Sequence, residues 1–147
     1  GVRRLLYDSG FPGMKVIQFA FDSREESDYL PHNYEKNCVV YTGTHDNDTL
    51  CGWYKVLDPD DLKLSQKYMN NANTPKRQIH WDFIRLALAS VADLCIIPLQ
   101  DYLGLGSEAR INTPSTLGNN WRWRMNQRGL TKELADQIRE LTTLYGR

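Results

Sequence analysis

Three short apolar runs, each ending abruptly in polar residues, constrain this chain more than any other feature. They are "MKVIQFAF" (Met14 to Phe21), "CVVYT" (Cys38 to Thr42) and "LCIIPL" (Leu94 to Leu99). Near-continuous runs of this length, rich in Val and Ile, suit strands buried on both faces, as in a parallel sheet covered by helices. The first run meets Asp22, the second meets His45 and Asp46, and the third meets Gln100 and Asp101. Parallel strands end on one side of their sheet, so these polar groups are expected to gather there.

Helical patterns lie between and after the runs. In "DPDDLKLSQKYMNN", Asp58 is the expected N-cap, Pro59 the first helical residue, and acidic residues fill the first turn. A second helix is expected from Thr74 and Pro75, with Ile79, Phe83, Leu86, Ala87 and Val91 as its apolar stripe. Its His80 and Trp81 read as structural. A last helix is expected from Lys132 to Tyr145, capped by Thr131, stopped by Gly146 and buried through Leu134, Ile138, Leu141 and Tyr145. The first crossover, Asp22 to Asn37, reads as a loop. Gly104 to Gly129 is a long polar loop whose Trp121 and Trp123 argue against disorder. Strand, loop, strand, two helices, strand, loop and helix make an α/β fold. Three such strands fit the active face of a (β/α)8 barrel but cannot close one.

The 147 residues, 41% of them hydrophobic, suffice for one core and a single segment over 1–147. The chain does not begin with Met and is expected to be a piece of a longer protein. Its formal net charge is zero, with no basic face, so neither nucleic acid nor an acidic membrane surface is an expected partner. No apolar run reaches membrane-spanning length. Three cysteines without a CxxC pair read as reduced thiols of a cytosolic protein.

The stretch "THDND" (Thr44 to Asp48) admits several chemistries. Asn and Asp before a turn commonly bond nearby backbone amides. A calcium loop is a poor match, because the glycine and distal glutamate of an EF-hand are missing. A metal-dependent phosphohydrolase using the His45–Asp46 pair is an alternative, but it needs further ligands, and only His32 and His80 remain. Trp53, Tyr54, Tyr102, Trp121 and Trp123 near strand ends, with carboxylates, amides and Arg, suit an oligosaccharide. A non-catalytic carbohydrate-binding module is therefore a second alternative.

The stretches "GFPGMKVIQFAF", "LPHNY", "VVYTGTHDNDT" and "PLQDYLGLGSEARINTPSTLGNNWRWR" together resemble the C-terminal part of glycoside hydrolase family 77, the 4-alpha-glucanotransferases. The resemblance implies strands six to eight of a (β/α)8 barrel. It implies retaining transfer of α-1,4-glucan segments between maltooligosaccharides by double displacement, with no cofactor or metal. An Asp nucleophile after the fourth strand and a Glu acid/base after the fifth are implied to lie in an N-terminal part absent from this chain. Asp46 matches the family's third carboxylate, a transition-state stabiliser, and His45 a residue contacting the same sugar. Asp22 matches an acidic residue near the family's donor-sugar site and Asn120 a sugar-contacting Asn; Asn33, Gln100, Trp121 and Arg124 lie in matching motifs. The implied location is the cytoplasm, or the plastid stroma for a plant enzyme.

Overall fold

The computed structural model describes residues 1–147, apart from the side chain of Arg3. The chain runs α1 (Val2–Ser9), β1 (Gly13–Val16), β2 (Cys38–Tyr41), α2 (Leu50–Lys55), α3 (Pro59–Met69), α4 (Ile79–Leu88), β3 (Leu94–Ile96), α5 (Leu99–Tyr102) and α6 (Lys132–Leu144), with short 3-10 turns between. The strands form one parallel sheet in the order β1-β2-β3. Gly13 stands opposite Cys38 and Val16 opposite Tyr41; Val39 stands opposite Leu94 and Tyr41 opposite Ile96.

The parallel α/β arrangement agrees with the apolar runs, but each strand is shorter than its run. After Val16 the chain tightens into a 3-10 turn over Ile17–Phe19, which keeps Ile17 buried without extending the ladder. The third strand stops at Ile96 because Pro98 has no N–H to donate and instead opens α5. Apolar continuity reports burial, and a buried turn satisfies it as well as a strand does.

The two sheet faces differ. Cys38 and Val40 point to the helical side and are buried. The register puts Met14, Val39 and Leu94 in one row of the opposite face and Val16, Tyr41 and Ile96 in the next. On that face Met14 is 56% exposed, Leu94 51% and Ile96 41%. Val16 of the same face is fully buried, so burial on both faces fails only where Met14, Leu94 and Ile96 lack a covering layer from this chain.

The core lies between the sheet and the helices. Phe83 of α4 is fully buried, with edge-on rings of Trp53 at 5.2 Å, Tyr54 at 5.8 Å and Phe21 at 5.9 Å. Helix α4 begins at Ile79 rather than at Pro75, since Lys76–Gln78 form a 3-10 turn first. Its stripe holds for Ile79, Phe83 and Ala87, whereas Val91 falls beyond the helix end and is exposed. His80 is buried against Gly104, whose φ is +62° and whose added Cβ would lie 2.9 Å from the imidazole. Asp58 caps α3 by accepting from Asp60 N, and Thr131 caps α6 by accepting from Leu134 N. Helices α1, α2 and α5 carry no long apolar period and escape sequence analysis.

The far end of the chain is tied back to the sheet. The Arg147 guanidinium donates to Leu88 O at 2.9 Å, Ser90 O at 2.6 Å and Ala92 O at 2.6 Å, bracing the turn between α4 and β3. No helix among the described residues is long and apolar enough to cross a membrane. Phe83→Ala should remove about 3–5 kcal/mol of stability, the usual cost of truncating a packed aromatic. Denaturant titration checks this, and a loss below about 1 kcal/mol would mean that Phe83 is not the hub of the core.

Candidate functional site

The polar tip beyond β2 divides into a structural half and an exposed half. Asn47 Oδ1 accepts from Thr44 N at 2.9 Å and Thr44 Oγ1 at 2.8 Å, closing the turn. Asp48 accepts from Thr49 N at 2.8 Å and from Ser107 Oγ at 2.6 Å. Asp48 folds over α2 so closely that a Cβ on Gly52 would lie 2.7 Å from its Oδ1. The turn chemistry thus belongs to Asn47 and Asp48, and leaves His45 and Asp46 facing outward with about half their side chains exposed.

Asp46 is held by groups from the loop after β3. Asn112 Nδ2 donates to Asp46 Oδ1 at 2.6 Å, and His45 Nε2 lies 3.3 Å from the same oxygen. Arg110 donates to Asp46 O at 2.7 Å and to Asn112 O at 2.9 Å, while Asn112 N donates to His45 O at 3.1 Å. Among the described residues no side chain bonds Asp46 Oδ2, so one carboxylate oxygen stays open to a ligand. Beside it the Trp121 ring lies 5.1 Å from the His45 ring, tilted by 38°. Trp121 takes a left-handed φ of +64° and is 59% exposed. That backbone is unfavourable for a bulky residue, and the Trp121 N–H to Ile111 O bond of 2.7 Å holds it.

The other expected residues are distributed around this point. Asn120 accepts from Thr113 N at 2.9 Å and donates to Thr116 Oγ1 at 3.1 Å, shaping the turn that leads into Trp121. Arg124 donates to Trp121 O at 3.3 Å and Trp123 O at 2.8 Å, bracing the same backbone. Gln100 is buried beneath the loops and donates to Ala109 O at 3.3 Å. Asp22 is gripped by Arg24 at 2.8 and 2.6 Å, and this pairing pulls its carboxyl down to about 2. Asn33 donates to Ser27 O at 3.1 Å and lines a cleft with Gly13 and Met14, at the opposite end of the sheet.

Asn112, Arg110 and Asp101 were not legible as site residues. The first two sit in an irregular loop, where no period relates sequence position to direction. Asp101 follows an apolar run like the other strand-end residues, but it points inward and is only 2% exposed. Thr42 Oγ1 donates to its Oδ2 at 2.6 Å, and Leu50 N donates to its Oδ1 at 2.8 Å. No group of three His, Cys, Asp or Glu that could hold a metal occurs among the described residues.

Burial pushes the Asp101 carboxyl from 3.8 up to about 6, with the neighbouring Asp48 charge adding to the rise and the two hydrogen bonds opposing it. A carboxyl that binds its proton more tightly when folded stabilises the fold below its unfolded pKa, and that stabilisation is lost as pH rises through about 6. For so buried a group the span corresponds to about 3 kcal/mol. Asp101→Asn carries no charge at any pH. It should therefore gain about 3 kcal/mol relative to the parent between roughly pH 4 and pH 7. Denaturant titration at both ends of that range measures the gain, and a constant difference would contradict the raised pKa.

Comparison with known proteins bears on the whole arrangement. Residues 1–131 match the family model described as 4-alpha-glucanotransferase. The 4-alpha-glucanotransferase of Clostridium butyricum is 51% identical over 140 residues, which are 95% of this chain and 28% of that protein. The chloroplastic/amyloplastic 4-alpha-glucanotransferase of Arabidopsis thaliana is 47% identical over 141 residues, covering 94% of this chain and 24% of that one. An amylomaltase from Streptococcus agalactiae, solved in complex with acarbose, superposes with a TM-score of 0.92 at 38% identity, covering 99% of this chain and 29% of its own. The three-stranded parallel sheet is accordingly part of a barrel of that type. The chain spans about a quarter of the length of these relatives, and it belongs to the 4-alpha-glucanotransferase family.

Proposed function

We propose that residues 1–147 form a single segment of a catalytic (β/α)8 barrel in a complete 4-alpha-glucanotransferase, acting on α-1,4-glucans and maltooligosaccharides. The observation that carries this reading is Asp46. Its carboxylate stands beyond the C-terminal end of a parallel strand, held through one oxygen by Asn112 with the His45 ring close by, and open through the other, beside the Trp121 plane. The C-terminal side of barrel strands is where active sites are built.

Breaking a glycosidic bond with retention develops positive charge on the sugar ring, flanked by a nucleophile and an acid/base. In this reading both lie on the remainder of the enzyme. Asp46 contributes a fixed negative charge whose attraction grows as that charge develops, so it acts on the transition state more than on the bound substrate. His45, with its Nε2 3.3 Å from Asp46 Oδ1, presents its ring to a sugar hydroxyl. Trp121 offers an apolar plane to the C–H face of a glucose unit. Asn120 and Arg124 keep the Trp121 loop in shape, and Gln100 supports it from beneath. Asp22, pinned by Arg24, borders the site from the end of β1, and Asn33 stabilises the first crossover. The enzyme would work in the cytoplasm, or in the plastid stroma, as the chloroplastic name of the Arabidopsis relative suggests.

The rival binding-module reading needs a self-contained domain. The exposed Met14, Leu94 and Ile96 on one sheet face speak against it, since they suit the inward layers of a larger barrel. The phosphohydrolase reading lacks a ligand set among the described residues.

A complete chain for testing comes from exchanging the matching segment of the Clostridium butyricum relative for residues 1–147. It should release glucose from maltotriose, while residues 1–147 alone should not. Asp46→Asn should lower its kcat by about two or more orders of magnitude with a much smaller change in KM. A near-normal kcat would remove Asp46 from the reaction. Trp121→Ala should weaken acarbose binding by about tenfold, the loss of one stacking contact; titration of intrinsic fluorescence reads this, and unchanged affinity would make Trp121 a packing residue.

A further inference from the structure

The loop that carries His45 and Asp46 runs from Thr42 at the end of β2 to Leu50 at the start of α2, and one buried side chain touches both ends. Asp101, from the turn after β3, accepts the Thr42 hydroxyl at 2.6 Å on one oxygen and the Leu50 N–H at 2.8 Å on the other. Leu50 N–H belongs to the first turn of α2, where helical N–H groups have no acceptor within the helix. Gln18 ties the same loop from the β1 side, its backbone N–H donating to Thr42 O at 3.3 Å and its side-chain amide to Asp48 O at 2.8 Å, but only Asp101 joins the two ends through one side chain.

Packing alone does not fix this loop. A small half-open pocket of about 30 Å³ borders it, lined by Thr44, His45, Asp48, Gln100, Asp101 and Ile111 among others. Side chains bordering such a space have fewer packing neighbours on that side, so hydrogen bonds contribute more of the positioning. Two donors face Asp101. An ionised carboxylate can accept from both at once, whereas an amide offers one acceptor and brings donors of its own. Burial raises the carboxyl to about 6, so the ionised form is kept at neutral pH at a cost in stability that an uncharged residue would avoid.

From these contacts we propose that Asp101 is a positioning residue: by clamping Thr42 and Leu50 it sets the attitude of the loop, and through it the placement of Asp46 against the sugar. The inference rests on the role proposed above for Asp46, and the test separates the two.

In the complete chain, Asp101→Ala should lower kcat by about 10²-fold, the scale of an ångström-level misplacement, with KM changed by less than about threefold. Asp101→Asn, which retains one acceptor, should lose less. If Asp101 acts through Asp46, its removal should matter little once the Asp46 charge is gone. In the Asp46→Asn background, Asp101→Ala should cost less than about threefold, a coupling that the double-mutant cycle isolates. Should Asp101→Ala fail to fold, the same cycle with Asp101→Asn decides. An Asp101 variant that loses as much in the Asp46→Asn background as in the parent, or nothing in the parent, overturns the positioning role while leaving Asp46 intact. A folded parent chain that neither binds acarbose nor releases glucose from maltotriose overturns the underlying reading, and this inference with it.

Discussion

Parallel pairing of β2 with a neighbour on each side sends the ends of all three strands to one side of the sheet. Everything that can act chemically in this chain depends on that constraint. The loop after β2 and the loop after β3 come from distant parts of the sequence, yet they emerge side by side. Asn112 and Arg110 from the second can then hold Asp46 from the first. An antiparallel arrangement of the same runs would have put these loops at opposite ends.

Polar groups around the site form two layers with different consequences. Thr42, Asp101 and Gln100 are buried, and each has its hydrogen-bond partners inside the protein. Their geometry is therefore set before any ligand arrives. Asp46, His45 and Trp121 stand in front of this layer and remain partly exposed. The division is the one a preorganised site requires: the groups proposed to meet a ligand are accessible, and the groups that fix them are dry. The left-handed backbone of Trp121 belongs to the same design, since the strain is held by the Ile111 carbonyl and by the Arg124 bonds to the adjacent backbone.

The partly exposed sheet face connects the fold to the amylomaltase it superposes on. Its apolar rows would be an aggregation hazard on an independent domain. On a segment that covers 29% of the amylomaltase it superposes on, the same rows are the natural seat for the other barrel strands. The helical side needs no such partner, because Phe83, Ile84 and Leu141 already close the core there.

The amino-acid sequence by itself determined the α/β class, the three parallel strands, the caps at Asp58 and Thr131, and the family, because these rest on local pattern: apolar runs, capping residues and long specific motifs. Strand lengths escaped it, since a buried 3-10 turn at Ile17–Phe19 and a strand present the same apolar letters. So did burial, because exposure of Met14 and Leu94 depends on which neighbours the sheet has. The candidate site was legible at His45, Asp46 and Trp121, which stand in a recognisable motif or carry distinctive side chains. The structure alone decided that Asn47 and Asp48 serve the turn, that Asn112 holds Asp46, and that Asp101 faces inward to join Thr42 to Leu50. Asp101 is separated from Thr42 by 59 positions and from Leu50 by 51, and no one-dimensional period encodes a meeting at that range. It arises only when two strands pair in parallel and bring their following loops together.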